Sequence, residues 1–249
     1  ARMERLKDRL RTVAIDTRGI GGSSIPPAIS DYHIDHLVED IRQLISALDL
    51  HDVTLVGHDW GGFIAWELAI KHPELLSKLV VINAAHVGIF DHLLRDDDEQ
   101  IKASRYMLAF RSQRGEELLS RGNFASFRHE IPEPAIARGT MSAEQASDYI
   151  TYWSDARRLT AGLNYYRANE SGPITDGERP RRDLQSTGIN TETLVIWGDA
   201  DPYFVKANIT RLKEVVTNLT VQSFPQYTHW IVHEDPDTVA SLIGQFAAG

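Results

Sequence analysis

Val53-Thr54-Leu55-Val56-Gly57-His58-Asp59-Trp60-Gly61-Gly62 is the stretch from which the rest of the chain can be read. Residues 53–56 are apolar and rich in β-branched side chains, a composition that favours a strand. An amphipathic stretch over about 63–71 follows and stops before His72-Pro73. Strand, sharp turn and helix thus place small residues two before and two after one reactive side chain, Asp59. A turn this tight strains its tip residue, and the glycines on either side let strand and helix approach each other. A carboxylate is already anionic at neutral pH and can attack carbon without a base to deprotonate it. A phosphate-binding or purely structural turn would have the same outline, so residues elsewhere must decide.

Composition narrows the field. A chain of 249 residues, 42% hydrophobic and 24% charged, can bury a sizeable core as one large α/β domain, with or without an inserted lid. The net charge of −9 with dispersed acids argues against nucleic acid or an anionic membrane as partner. No apolar run approaches the roughly 20 residues that span a bilayer. Cysteine is absent, which excludes disulfides and thiolate metal sites and fits a reducing, cytoplasmic compartment. The sequons at Asn169, Asn208 and Asn218 read as chance occurrences.

Periodicity then orders the chain. Residues 3–10 read as a short amphipathic helix and 12–16 as a buried strand leading into Thr17-Arg18-Gly19-Ile20-Gly21-Gly22-Ser23-Ser24. That loop lacks the Lys-Ser/Thr ending of a P-loop. Leu37, Ile41, Leu44, Ile45 and Leu48 recur at a helical period over about 36–48. Residues 78–84 form a continuously apolar and hence interior strand. Strands alternating with helices imply a mostly parallel sheet with helices on both faces. From about 90 to 169 there is no convincing strand, only helical periods, acidic surface runs and many aromatics, which reads as a helical cap. After a loop over 171–188 the α/β pattern resumes with strands at 193–197 and 220–224 and helices near 207–216 and 236–246. The division expected is a core over 1–88, a cap with its return loop over 89–188, and a second core part over 189–249.

Chemistry in open parallel sheets gathers at the carboxyl ends of strands. Asp59 is at one such end. Asp201, in Gly198-Asp199-Ala200-Asp201-Pro202, follows the 193–197 strand, and His229, in Gln226-Tyr227-Thr228-His229-Trp230, follows the 220–224 strand. Singly these are an ordinary turn aspartate and an ordinary surface histidine. Together, in the order nucleophile, acid, histidine, they make a catalytic triad.

With those residues in hand, the chain resembles the α/β-hydrolase superfamily, and within it the epoxide hydrolase and haloalkane dehalogenase branch, closest to the soluble epoxide hydrolases. The matching pieces are Asp16-Thr17-Arg18-Gly19-Ile20-Gly21-Gly22-Ser23, Gly57-His58-Asp59-Trp60-Gly61-Gly62, Leu194-Val195-Ile196-Trp197-Gly198-Asp199-Ala200-Asp201, and His229-Trp230 with Glu234 and Pro236. Thr228 departs from the glycine that the family places before the histidine. The resemblance implies an α/β-hydrolase fold with an inserted cap. Asp59 would form an alkyl-enzyme ester, His229 would activate water, Asp201 would orient the imidazole, and the Trp60 backbone N–H would serve in the oxyanion hole. His233 is the rival base. Neither a metal nor an organic cofactor is implied, and water is the co-substrate.

The leaving group separates the two branches, since an epoxide oxygen needs O–H donors and a halide needs N–H donors. Leu163-Asn164-Tyr165-Tyr166-Arg167-Ala168-Asn169 is similar to the family segment carrying a lid tyrosine, which points to Tyr166. The second lid tyrosine matches Tyr106, with Tyr149 and Tyr152 as nearby alternatives. Trp60, Tyr106 and Tyr166 are accordingly the substrate-binding residues expected. Helix residues Phe63-Ile64-Ala65-Trp66-Glu67 carry no arginine of the kind that holds a carboxylate in fluoroacetate-type dehalogenases, which disfavours an anionic substrate. The resemblance also leads one to expect further N-terminal strands and a His-Gly-x-Pro loop that these 249 residues do not contain; the expectation is that an N-terminal segment is omitted, the alternative being a sheet rearranged or completed by another chain. The substrate expected is a small epoxide or another alkylating electrophile. A haloalkane dehalogenase using the same Asp59 and a non-catalytic binding protein on the same fold are the alternatives, and the oligomeric state is not fixed by the sequence.

Overall fold

The computed structural model describes Leu6, residues 10–174 and residues 179–249. Alternation in its two central strands sets the layers. In β2 (Lys78–Ile82) and β3 (Glu192–Gly198) every residue after the first is buried. Leu79, Val81, Val195 and Trp197 pack into one apolar cluster, and Val80, Ile82, Leu194 and Ile196 into another. A strand buried on both faces needs apolar residues at both parities, which is what these unbroken runs supply. The first cluster takes in α1 (Ile34–Ala47) and α2 (Trp60–Lys71); the second takes in α11 (Ile231–Glu234) and α12 (Pro236–Ala248).

β1 (Thr54–His58), β2, β3 and β4 (Leu219–Phe224) pair in that order, all parallel. The register sets His58 beside Ile82, Ile82 beside Ile196, and Gly198 beside Phe224, so the carboxyl ends of the strands lie along one rim. Between β2 and β3 the chain runs through α3 (Val87–Asp96), α4 (Asp98–Ala103), α5 (Tyr106–Arg111), α6 (Gly115–Glu130), α7 (Pro132–Ala137), α8 (Ala143–Ser154) and α9 (Ala156–Ala168). α6 is interrupted by non-helical backbone at 121–124. α10 (Ala207–Thr210) is shorter than its sequence pattern implies and gives way to a 3-10 turn at Leu212–Glu214. No helix among the described residues is long and apolar enough to cross a membrane.

One expected strand is absent. Residues 12–16 do not join the sheet, and Val13 and Ile15 are 46% and 41% exposed. A strand is held by a hydrogen-bonded neighbour, and none of the four strands offers this segment one. Val56 on β1 is correspondingly 40% exposed. Of the helix expected over 3–10, residues 3–5 and 7–9 lie outside the described residues. Leu48, counted on the apolar stripe of α1, lies just past its end and is exposed.

Candidate active site

Asp59 joins β1 to α2 with φ 53° and ψ −123°, a left-handed backbone conformation that a non-glycine residue adopts only under constraint. The constraint is visible in the packing around it. A Cβ at Gly57 would come within 2.2 Å of the Gly61 carbonyl oxygen, and one at Gly62 within 2.3 Å of the Ala84 Cβ. The strand and helix are therefore in backbone contact, and the chain reverses in the one residue left between them. At Gly61 a Cβ would meet nothing within 4 Å. The second essential small residue is Gly62, not the symmetrically placed Gly61.

The histidine and acid come from the two strands on the far side of the sheet. His229 Nε2 lies 3.3 Å from Asp59 Oδ1, and His229 Nδ1 lies 2.9 Å from Asp201 Oδ2. The Asp201 carboxylate is fully buried and accepts further hydrogen bonds from Asn83 Nδ2 (2.7 Å) and from the backbone N–H groups of Tyr203 (2.7 Å) and Phe204 (3.2 Å). Burial opposes charge on His229, but the two flanking carboxylates outweigh it and raise its pKa to about 10. Burial likewise opposes the Asp59 anion. His229 and the Trp60 backbone N–H hold its pKa below the usual carboxylate value. Asp59 is thus an anion.

The phenols come from the cap. Tyr106 on α5 and Tyr166 on α9 line, with Asp59, Trp60, Phe63 and Phe204, a cavity of about 610 Å³. Burial pushes both phenols above their ordinary pKa, and the Asp59 charge pushes the same way, so both hold their protons at neutral pH. The Tyr166 ring stands edge-on to the Trp60 ring at 5.3 Å and to the Tyr106 ring at 6.3 Å. The alternatives lie elsewhere. Tyr165 donates to Arg18 O (2.6 Å), Tyr152 donates to Gly19 O (3.2 Å), and Tyr149 faces His233 Nε2 at 3.4 Å. That last contact turns His233, the rival base, toward the cap.

Two residues that the sequence reading passed over complete the geometry. Asn83, at the end of β2, donates to Asp201 and to Gly198 O (3.2 Å) and accepts from Gly198 N–H (2.9 Å), tying the acid to two strands. The signal was a lone polar residue closing an apolar strand. His58, next to the nucleophile, places its Nε2 2.9 Å from the His229 carbonyl oxygen. Thr228, where the family has glycine, accepts from Trp230 N–H at 3.2 Å, and its own N–H donates to Glu234 Oε2 at 2.7 Å. The substitution leaves the histidine loop braced.

Residues 3–236 match the family described as the alpha/beta hydrolase fold. The chain is 32% identical over 253 residues to epoxide hydrolase 2 of Caenorhabditis elegans, covering 98% of this chain and 68% of that protein. It is 30% identical over 250 residues to epoxide hydrolase 3 of Xenopus tropicalis, covering 98% and 66%. The chain therefore spans about two thirds of the length of these curated relatives. Among solved structures, a Bacillus megaterium epoxide hydrolase in complex with an inhibitor superimposes with a TM-score of 0.89 at 32% identity, over 99% of this chain and 87% of that one. A mutant of the same enzyme, complexed with its diol product, gives 0.88 at 32% identity over the same shares. The chain belongs to the alpha/beta hydrolase fold family, in the branch that holds these epoxide hydrolases.

Proposed function

We propose that this chain adds water to an oxirane and releases a vicinal diol, as the diol complex of its bacterial relative would suggest. Asp59 attacks a ring carbon and forms an ester, while the departing ring oxygen takes a proton from Tyr106 or Tyr166; that phenolate recovers it from His229, a cation in the free protein that gives up its proton once the Asp59 charge is gone. His229 then takes a proton from water, and the hydroxide so formed attacks the ester carbonyl carbon of Asp59. The oxyanion is held by the Trp60 N–H, and its collapse frees the diol and restores the Asp59 carboxylate. Forming the ester also removes the charge that His229 faced, which lowers the imidazole pKa when a base is required.

The observation that carries this reading is the pair of protonated phenols lining the same cavity as Asp59, with His229 at 3.3 Å from the carboxylate. They are O–H donors, suited to an alkoxide. The Trp60 ring, the candidate halide donor, packs edge to face against Tyr165 and Tyr166. Incubation with styrene oxide and with 1-bromobutane separates the branches, with diol from the first and little bromide from the second as the expected outcome. Asp59→Asn should abolish turnover. His229→Gln should let the ester accumulate as a mass increase on the peptide carrying Asp59, and a His229 variant with full turnover would remove that residue from the mechanism. We also take 1–88 and 189–249 as the core, 89–188 as cap and return loop, and the cytoplasm as the compartment, the last on the cysteine-free composition.

A further inference from the structure

A buried backbone carbonyl requires a donor. His229 is 2% exposed, and its carbonyl oxygen lies 2.9 Å from the His58 Nε2. A carbonyl can only accept, so that ring nitrogen carries the hydrogen. The His58 ring lies between the site's other aromatics, 4.9 Å from the His229 ring and 5.6 Å from Trp230. Burial first, and then the neighbouring His229 and more weakly His233, push its pKa down to about 3 against the pull of Asp59 and the His229 carbonyl. His58 is therefore a neutral imidazole with a fixed tautomer throughout the working range.

The timing of the reaction gives this hydrogen bond a task. In the free protein the His229 side chain is held at both nitrogens, by Asp201 and by Asp59. Alkylation of Asp59 removes one of those charges just before His229 must act as base. What then fixes the imidazole is Asp201 on Nδ1 and whatever fixes the main chain that carries it. We propose that His58 is a positioning residue for the second half of the reaction, its Nε2–H pinning the His229 main chain so that the imidazole stays aimed at the ester once the Asp59 charge is gone. This rests on the reading of Asp59 as nucleophile and His229 as base.

The test compares two variants in single-turnover quench experiments with styrene oxide, following the ester on the Asp59 peptide by mass. His58→Phe keeps an aromatic ring and loses the donor; His58→Gln keeps an N–H at about the same reach. For His58→Phe, ester formation should proceed near the native rate while ester hydrolysis falls by at least about tenfold, the scale expected when a buried acceptor loses its partner. His58→Gln should restore hydrolysis to near the native rate. The proposal is overturned if His58→Phe hydrolyses the ester normally, if both half-reactions fall together, or if the Gln variant is as slow as Phe. Failure of the underlying reading looks different, because native protein would then form no ester on Asp59 at all.

Discussion

At Asp59 the backbone itself is under load. A φ of 53° with ψ of −123° costs about 1–3 kcal/mol in an ordinary residue, and the contact between Gly57 and Gly61 is what imposes it. The return is an exposed nucleophile: the Asp59 side chain keeps a third of its surface, whereas its partners His229 and Asp201 are buried. The charges at the site give the two half-reactions different pH profiles. Alkylation needs the Asp59 anion, whose pKa is held low, so its rate should be flat from about pH 5 upward. Hydrolysis needs neutral His229, raised to about 10 in the free protein and lowered once Asp59 is esterified, so its rate should climb with pH to a plateau with a midpoint below that value. Rapid-quench measurement of each step across pH checks the pair, and an alkylation rate that tracked the hydrolysis limb would contradict it. The places of Asp59, Asp201 and His229 beyond the carboxyl ends of strands were legible in the sequence because each follows a strand-forming run. Asn83 and His58 sit at strand ends too, but their roles depend on partners 118 and 171 positions away, and no local pattern carries such a distance.

Elements were legible where their own residues determine them. β2 and β3 need apolar side chains at both parities and have them, and α1 shows its period through the buried Leu37, Ile41 and Ile45. The segment over 12–16 has strand composition without a strand neighbour, and its exposed Val13 and Ile15 show that composition alone does not make a ladder. The elbow's glycines divide the same way between pattern and packing. Gly61→Ala adds a methyl to open space in the first turn of α2, where alanine is favoured over glycine, so stability should rise by up to about 1 kcal/mol. Gly62→Ala drives a methyl into Ala84 and should cost about 1–3 kcal/mol with loss of activity. Urea unfolding of the two variants distinguishes these outcomes, and equal effects would mean that the elbow is not packed as described. The capping box at Ser142 and Gln145, each side chain bonded to the other's N–H, starts α8 by the same local logic.

Across the whole molecule, the proposed reaction draws its nucleophile, base and acid from the sheet and its phenols from the helices between β2 and β3. Alignment between the two is therefore a condition of the chemistry. One ion pair fastens the return leg to the core, and others fasten it to α3. Arg182 reaches Glu67 on α2 at 2.6 Å, its N–H donates to Asp91 on α3 at 3.1 Å, and Arg179 and Arg181 pair with Asp91 and Asp96. Arg138 at the end of α7 meets Glu234 at 3.1 Å, and Glu234 in turn holds the Thr228 N–H beside the catalytic histidine. Which acids these arginines meet is decided by the fold. Sheet and cap together imply one covalent route, in which an Asp59 oxygen, not a water oxygen, enters the product first. A single turnover of styrene oxide in ¹⁸O-labelled water tests this most directly. The account predicts label in the peptide carrying Asp59 and none in the diol; label in the diol with an unlabelled Asp59 would show that water attacks the epoxide itself and would contradict it.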